Sequence, residues 1–248
     1  MNAQPLDLTL AAEALTAQPQ AFERFAQMLM EHNRSLNLTR MDHPQDIRTR
    51  HFLDSLAALA IVDEPASRHP TNTPFSVMDV GSGAGFPALA LAIARPNWRV
   101  VSLEATEKKV RFQRRVCEAL GLGNVELLHG RAEILAHDPT QRERFDAVTA
   151  RAVAPLNVLA ELTLAFIRPG GLALFWKGPN VRQEYDAARK SIKMMGGSAL
   201  TLHSYALPDL PETAFYLVAA AKHAASPATL PRRHFGIIKK RPLSHPES

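Results

Sequence analysis

The chain has 248 residues, of which 46% are hydrophobic and 6% aromatic, enough apolar mass for a real core, so global disorder is excluded. Its single cysteine, Cys117, forbids an intramolecular disulfide and any cysteine-based zinc site, which suits a reducing compartment. Lys and Arg number 29 against 24 Asp and Glu, a net charge of +5 that permits a nucleic-acid partner without establishing one.

The start is polar (Asn2, Gln4, Asp7) and lacks the basic-then-apolar order of a secretory leader. No stretch reaches the roughly 18 to 20 apolar residues that span a bilayer, and a cytoplasmic, membrane-free protein is expected. Residues 1–62 hold five Lys/Arg and seven Asp/Glu, whereas residues 231–248 hold five Lys/Arg and one acid. The basic surplus therefore sits toward the carboxyl terminus, a better sign of a local anionic contact than the total.

Residues 1–62 read as a helical subdomain. Leu6–Leu15 suits a first helix, and Phe22, Phe25, Ala26 and Leu29 recur at the i, i+3, i+4, i+7 spacing of an amphipathic second. Ile47–Ile61 suits a third. Residues 63–74, DEPASRHPTNTP, are polar with three prolines and read as a linker. From 75 to 223 short apolar runs (Ser76–Val80, Val100–Leu103, Val125–Leu128, Ala147–Thr149, Leu172–Trp176) alternate with helical stretches (Ala88–Ala94, Lys108–Leu120, Leu156–Ile167, Val181–Met195). That alternation predicts βαβ units, an α/β fold with a doubly wound, mostly parallel sheet. Ala199–Ala206 and Ala214–Ala220, joined by LPDLPE, add an antiparallel hairpin at the sheet edge, for seven strands in all. Residues 224–248 read as a basic tail.

The sharpest signal is Asp79-Val80-Gly81-Ser82-Gly83-Ala84-Gly85-Phe86-Pro87, a strand running into a glycine turn and a helix. Glycine lets the backbone approach a ligand, and helix-start amides are free to donate. A dinucleotide fingerprint needs a third glycine where Phe86 stands. The acid Asp79 ahead of the turn suits a cofactor with an ammonium or sulfonium group. Glu104, ending the second strand, is placed to accept from ribose hydroxyls. Asp79, the turn (Gly81, Gly83, Gly85) and Glu104 together resemble S-adenosylmethionine-dependent methyltransferases, a Rossmann-like class. A tight turn with no ligand is the plain alternative.

The acceptor can be narrowed by chemistry. Exocyclic amines are typically held by an Asn/Asp-Pro-Pro-Tyr/Phe turn after the fourth strand, where this chain has Thr149-Ala150-Arg151-Ala152-Val153-Ala154-Pro155. Carbon-5 methylation needs a cysteine nucleophile, and Cys117 lies inside a helix among Val116 and Leu120, the setting of an inert thiol. A ring nitrogen such as guanine N7 has an in-plane lone pair and no proton to lose, so alignment and electrostatics suffice.

Further motifs make the sequence similar to the RsmG (GidB) family, bacterial small-subunit rRNA guanine-N7 methyltransferases, from about Asn33 to Leu243. They are Asn37-Leu38-Thr39, Arg50-His51-Phe52-Leu53-Asp54-Ser55-Leu56, the glycine turn, Lys108-Lys109-Val110-Arg111-Phe112, Gly130-Arg131-Ala132-Glu133, Arg151-Ala152-Val153 and Lys177-Gly178. Ala88 departs from the family, which usually has another glycine there. The resemblance implies S-adenosylmethionine as cofactor, no metal, and transfer to a guanine in the 530-loop region of 16S rRNA, free or in the 30S subunit, by a monomer. It implies that Gly81 and Phe86 contact the cofactor, Ala132 and Glu133 its adenine, and Arg151 its methionine end, although Arg151 could equally hold an RNA phosphate. Asn37, Thr39, Arg50 and His51 would line the acceptor pocket between sheet and amino-terminal helices. Arg50, Arg232, Arg233, Lys239, Lys240 and Arg241 are the expected RNA contacts. A protein or metabolite methyltransferase, and a non-catalytic ribosome-assembly factor, are the competing readings.

Overall fold

The computed structural model describes residues 2–70 and 72–243; the last five residues of the expected tail, 244–248, and Thr71 of the expected linker lie outside the described residues. A two-residue strand β1 (Gln4–Pro5) precedes helices α1 (Thr9–Ala17) and α2 (Pro19–Leu36). The predicted third helix is divided: α3 (Pro44–Asp46), a π-helical stretch Ile47–Leu53, α4 (Asp54–Leu56) and α5 (Leu59–Ser67). α5 continues through Pro65 to Ser67, so the first five residues read as linker are helical. Then follow β2 (Ser76–Val80), α6 (Ala88–Ala94), β3 (Arg99–Glu104), α7 (Glu107–Leu120), β4 (Val125–His129), α8 (Ala132–Leu135) and β5 (Phe145–Arg151). α9 (Leu156–Thr163), β6 (Ile167–Lys177), α10 (Val181–Met194), β7 (Gly197–Leu207), β8 (Leu210–Lys222) and α11 (Phe235–Lys240) complete the chain. No helix among the described residues is long and apolar enough to cross a membrane.

The sheet order is β1-β7-β8-β6-β5-β2-β3-β4. β2 to β6 run parallel, and β8 lies antiparallel between β6 and β7. The expected hairpin is therefore at its end of the sheet, with its second strand inside and its first strand capped by β1, the eighth strand. Its turn is only Pro208–Asp209, because Leu210 to Glu212 join the strand.

Strand side chains alternate between two apolar layers, as a period of two requires. Val77, Val100, Ala147 and Leu174 meet Phe22, Phe25, Leu29 and Phe52 of the amino-terminal helices together with α6 and α7. Met78, Val101, Val148 and Phe175 meet α8 to α11 on the other face. The amino-terminal helices thus share a core with the sheet. Trp98, just before β3, and Trp176, within β6, are both core residues.

Candidate active site

The glycine turn joins β2 to α6 at the carboxyl edge of the sheet. Gly81, Gly83 and Gly85 have φ of +77°, +60° and +102°, the region that side-chain-bearing residues avoid. A methyl group on Gly81 would stand 2.6 Å from Val153, and one on Gly83 would meet nothing within 4 Å. Gly83 therefore faces open space. A cleft of ≈ 280 Å³ lies against this edge, lined by Gly81, Glu104, Lys109, Ala132, Glu133 and Val153 among others.

Two buried acids stand in the cleft. Glu104 takes the Gly83 N–H on Oε2 at 2.9 Å and the Thr106 N–H on Oε1 at 2.8 Å. Each carboxylate oxygen has a second lone pair, so Glu104 braces the turn and still accepts two hydroxyls. Glu133 begins α8, where an acid suits the helix dipole, and accepts from Arg131 Nε at 2.5 Å. Open space at Gly83, a carboxylate at the end of β3 and a second on α8 fit the amino-acid, ribose and adenine parts of S-adenosylmethionine. Of the basic run on α7, Lys109 borders the cleft, while Lys108, Arg111, Arg114 and Arg115 are exposed.

The Asp79 and Phe86 side chains lie beneath the turn rather than in the lining of the cleft. The Asp79 carboxylate is fully buried beneath the turn, accepting from the Thr149 hydroxyl at 2.8 Å and the Ala88 N–H at 3.3 Å. Burial raises its pKa to about 6. It shapes the turn and the start of α6 and is absent from the cleft lining. Strand alternation explains this, since Asp79 shares the face of Val77 with the amino-terminal helices. The Phe86 ring is likewise 5% exposed, stacked between Phe25 (5.0 Å, 10°) and His51 (4.5 Å, 11°).

Arg151, the last residue of β5, lies beside this column, its guanidinium 5.4 Å from the Phe86 centroid. Its guanidinium donates to Asp54 Oδ2 at 2.7 Å, His51 Nδ1 at 2.9 Å and the Arg50 carbonyl at 3.2 Å. The wide turns of the π-helical stretch bring those groups together. Arginine can only donate, so His51 Nδ1 accepts and Nε2 carries the proton, donated to Thr39 Oγ1 at 2.7 Å. Burial, then the Arg151 charge, lowers the His51 pKa to about 3. Asp54 also accepts from the Tyr205 hydroxyl at 2.5 Å, and its backbone carbonyl accepts from Trp176 Nε1. Burial raises the Asp54 pKa, with Arg151 opposing.

The structure brings His51 and Thr39 into one hydrogen-bonded cluster with Arg151 and adds Asp54, Tyr205 and Phe25, to which sequence reading gave no role at the site. Asn37 is an exposed left-handed cap of α2 with φ of +50°. Asn33 holds the following loop instead, its Oδ1 accepting the Leu38 and Thr39 N–H groups at 2.8 Å. Arg50 faces Asp46 at 3.5 Å. After Arg151 the backbone enters the left-handed region at Ala152 (φ +58°), a strain of about 1 kcal/mol or more for a non-glycine. Lys177 secures that loop by donating to the Ala154 carbonyl at 2.9 Å while pairing with Glu184 at 2.6 Å.

The expected RNA contacts separate into two groups. Arg232 is no surface cation: it forms a bidentate pair with the fully buried Glu161 at 2.9 and 2.7 Å. Arg233, Lys239, Lys240 and Arg241 are exposed, and all but Lys239 border a second cavity beside the cleft.

Solved structures of similar shape are methyltransferases. The O-methyltransferase TomG from Streptomyces achromogenes, in complex with SAM, aligns with TM-score 0.53 and 17% identity over 83% of this chain and 90% of its own. An O-methyltransferase from Bacillus cereus in complex with SAH gives 0.53, 18%, 81% and 91%. At such identity the likeness establishes the fold, a Rossmann-like class I methyltransferase. Sequence similarity goes further. Ribosomal RNA small subunit methyltransferase G of Deinococcus deserti is 39% identical over 98% of both chains, and that of Leuconostoc citreum 37% over 92% of both. The family model for rRNA small subunit methyltransferase G matches residues 18–210. The chain belongs to this GidB family of rRNA small subunit methyltransferases.

Proposed function

We propose that this methyltransferase places a methyl group on N7 of a guanine in the 530-loop region of 16S rRNA, as free RNA or within the 30S subunit, working as a cytoplasmic monomer. The observation that carries the choice of a ring nitrogen is that the three ionisable groups packed around the glycine turn and Phe86, His51, Asp54 and Asp79, are each held by protein partners. His51 Nδ1 accepts from Arg151, Asp54 accepts from Arg151 and Tyr205, and Asp79 accepts from Thr149 and Ala88. None is poised to remove a substrate proton, and guanine N7 has none to remove.

S-adenosylmethionine, when bound, supplies an electrophilic methyl group on a sulfonium centre. This chain's part is alignment and charge. The glycine turn gives room, Glu104 accepts ribose hydroxyls, Ala132 and Glu133 receive the adenine, and Arg151 offers a fixed cation at the end of β5 for a carboxylate or phosphate. The acceptor base leaves its stack to reach the site. Cys117 suits no competing carbon methylation, because burial, then Glu118, pushes its thiol up to about 11.

The test offers methyl-labelled S-adenosylmethionine to unmodified 30S particles and to naked 16S rRNA, followed by nucleoside mass spectrometry. Label in 7-methylguanosine is the expected product. Label only in protein or metabolite, or no cofactor binding at all, would refute the reading in favour of a different acceptor or a non-catalytic assembly factor.

A further inference from the structure

The cavity that borders the cleft measures ≈ 800 Å³ and lies between α8 and the carboxyl-terminal segment. Its walls are of two kinds. Ile134 and Ile237 are 44% and 48% exposed and, with the Phe235 ring, form an apolar floor. Arg131, Arg233, Lys240 and Arg241 form a basic margin. The carboxylate there, Glu133, is already paired with Arg131. Scattered exposed isoleucines need no explanation, but two beside an aromatic ring and ringed by cations make a patch with a purpose.

Two further observations bear on what fills it. The groove opens into the cofactor cleft, because Arg131, Glu133 and Phe235 line both. Its outer wall is also held in place. Arg232 is clamped on Glu161, Arg142 donates to the Ser226, Pro227 and Leu230 carbonyls, and Ile238 and Leu243 are buried. The wall therefore exists before any partner arrives, which lowers the ordering cost of binding. A polyanion with flat apolar rings matches a flat floor and a cationic rim, since sequence-tolerant RNA sites combine these two features.

We propose that this groove docks a single-stranded stretch of the substrate RNA beside the adenine end of the cofactor cleft, with a base on Ile134, Phe235 and Ile237 and backbone phosphates on Arg233, Lys240 and Arg241. The inference rests on the rRNA methyltransferase reading for the identity of its ligand.

The experiment measures binding of a fluorescein-labelled single-stranded RNA to the full chain by anisotropy across a salt series. Cofactor affinity is followed by calorimetry in the same samples. The double variant Arg233→Glu/Lys240→Glu should weaken RNA binding about tenfold or more and flatten the salt dependence by about 0.7 for each phosphate no longer neutralised. Ile237→Asp should weaken it severalfold, and both folded variants should bind cofactor normally. Unchanged RNA affinity and salt slope would overturn the proposal, as would loss of cofactor binding alone or equal competition by an acidic peptide. RNA binding is scored apart from methyl transfer. Groove-dependent binding without label in RNA would therefore count against the functional reading, and label in RNA with groove-independent binding would count against the groove.

Discussion

His51 Nδ1 accepts a hydrogen bond from the Arg151 guanidinium at 2.9 Å, linking the π-helical stretch to the end of β5 across a hundred residues of sequence. This contact fixes the tautomer of the ring and keeps it uncharged. With a folded pKa of about 3 against an ordinary 6.5, the unfolded chain binds the extra proton between those values. Stability therefore falls as pH drops through that window, by about 1.4 kcal/mol per pH unit at most from this group. Because the raised Asp79 carboxyl acts in the opposite direction over part of this range, the measure is the difference between proteins: in urea unfolding from pH 7 to 4, His51→Phe, which keeps the ring stack, should gain stability relative to the unsubstituted chain as pH falls. A His51 imidazole that titrates near 6.5 by NMR would contradict the assignment.

Asp54 neutralises Arg151 in a buried setting, with side-chain exposures of 11% and 12%. Removing one partner strands the other charge, so Asp54→Ala should cost about 3 kcal/mol or more. Tyr205→Phe should cost about 1 kcal/mol for its missing hydrogen bond to Asp54. Arg151→Lys keeps the charge but loses the fork that reaches Asp54 and His51 together, and kcat should fall at least about tenfold. Denaturant titration and single-turnover methylation check these values, and a fully active Arg151→Lys enzyme would remove Arg151 from the site.

Gly81→Asp combines a φ of +77° with a side chain that meets Val153 at 2.6 Å, and under the proposed cofactor placement it adds a negative charge to the cradle. Calorimetry should detect no cofactor binding in the folded variant. Gly83→Ala has open space around its new methyl group. It should retain the fold with a backbone penalty of about 1 kcal/mol and lose affinity only as far as the methyl occupies the cofactor's place.

Arg232 and Glu161 hold the carboxyl-terminal segment on α9. Arg232→Ala should leave Glu161 buried and uncompensated, at a cost of about 3 kcal/mol, and limited proteolysis should then cut between β8 and α11. Arg233→Ala, next in sequence but exposed, should do neither.

That adjacent pair shows where sequence reading stops. Both arginines look like tail cations, and only the placement of an acid 71 residues earlier tells them apart. Phe86 and Asp79 were legible as parts of the glycine turn, yet their side chains turn away from the cleft. For Asp79 the strand alternation already contained that information, because it shares a face with Val77. For Phe86 it did not, since the ring's neighbours come from α2 and the π-helical stretch. The βαβ rhythm was legible because buried parallel strands read as short apolar runs. The division of the third helix was not, since its wide turns answer to Arg151.

The column of Phe25, Phe86 and His51 has a consequence for how such a chain can change. The middle ring belongs to the cofactor turn and the outer two to the amino-terminal helices. Cutting away the first 62 residues would strip both faces of Phe86 at once and release Arg151 with them. The methyl-transferring core and its helical cap are thus bound to be inherited together. A graft of this cap onto another methyltransferase would have to carry the ring that it grips.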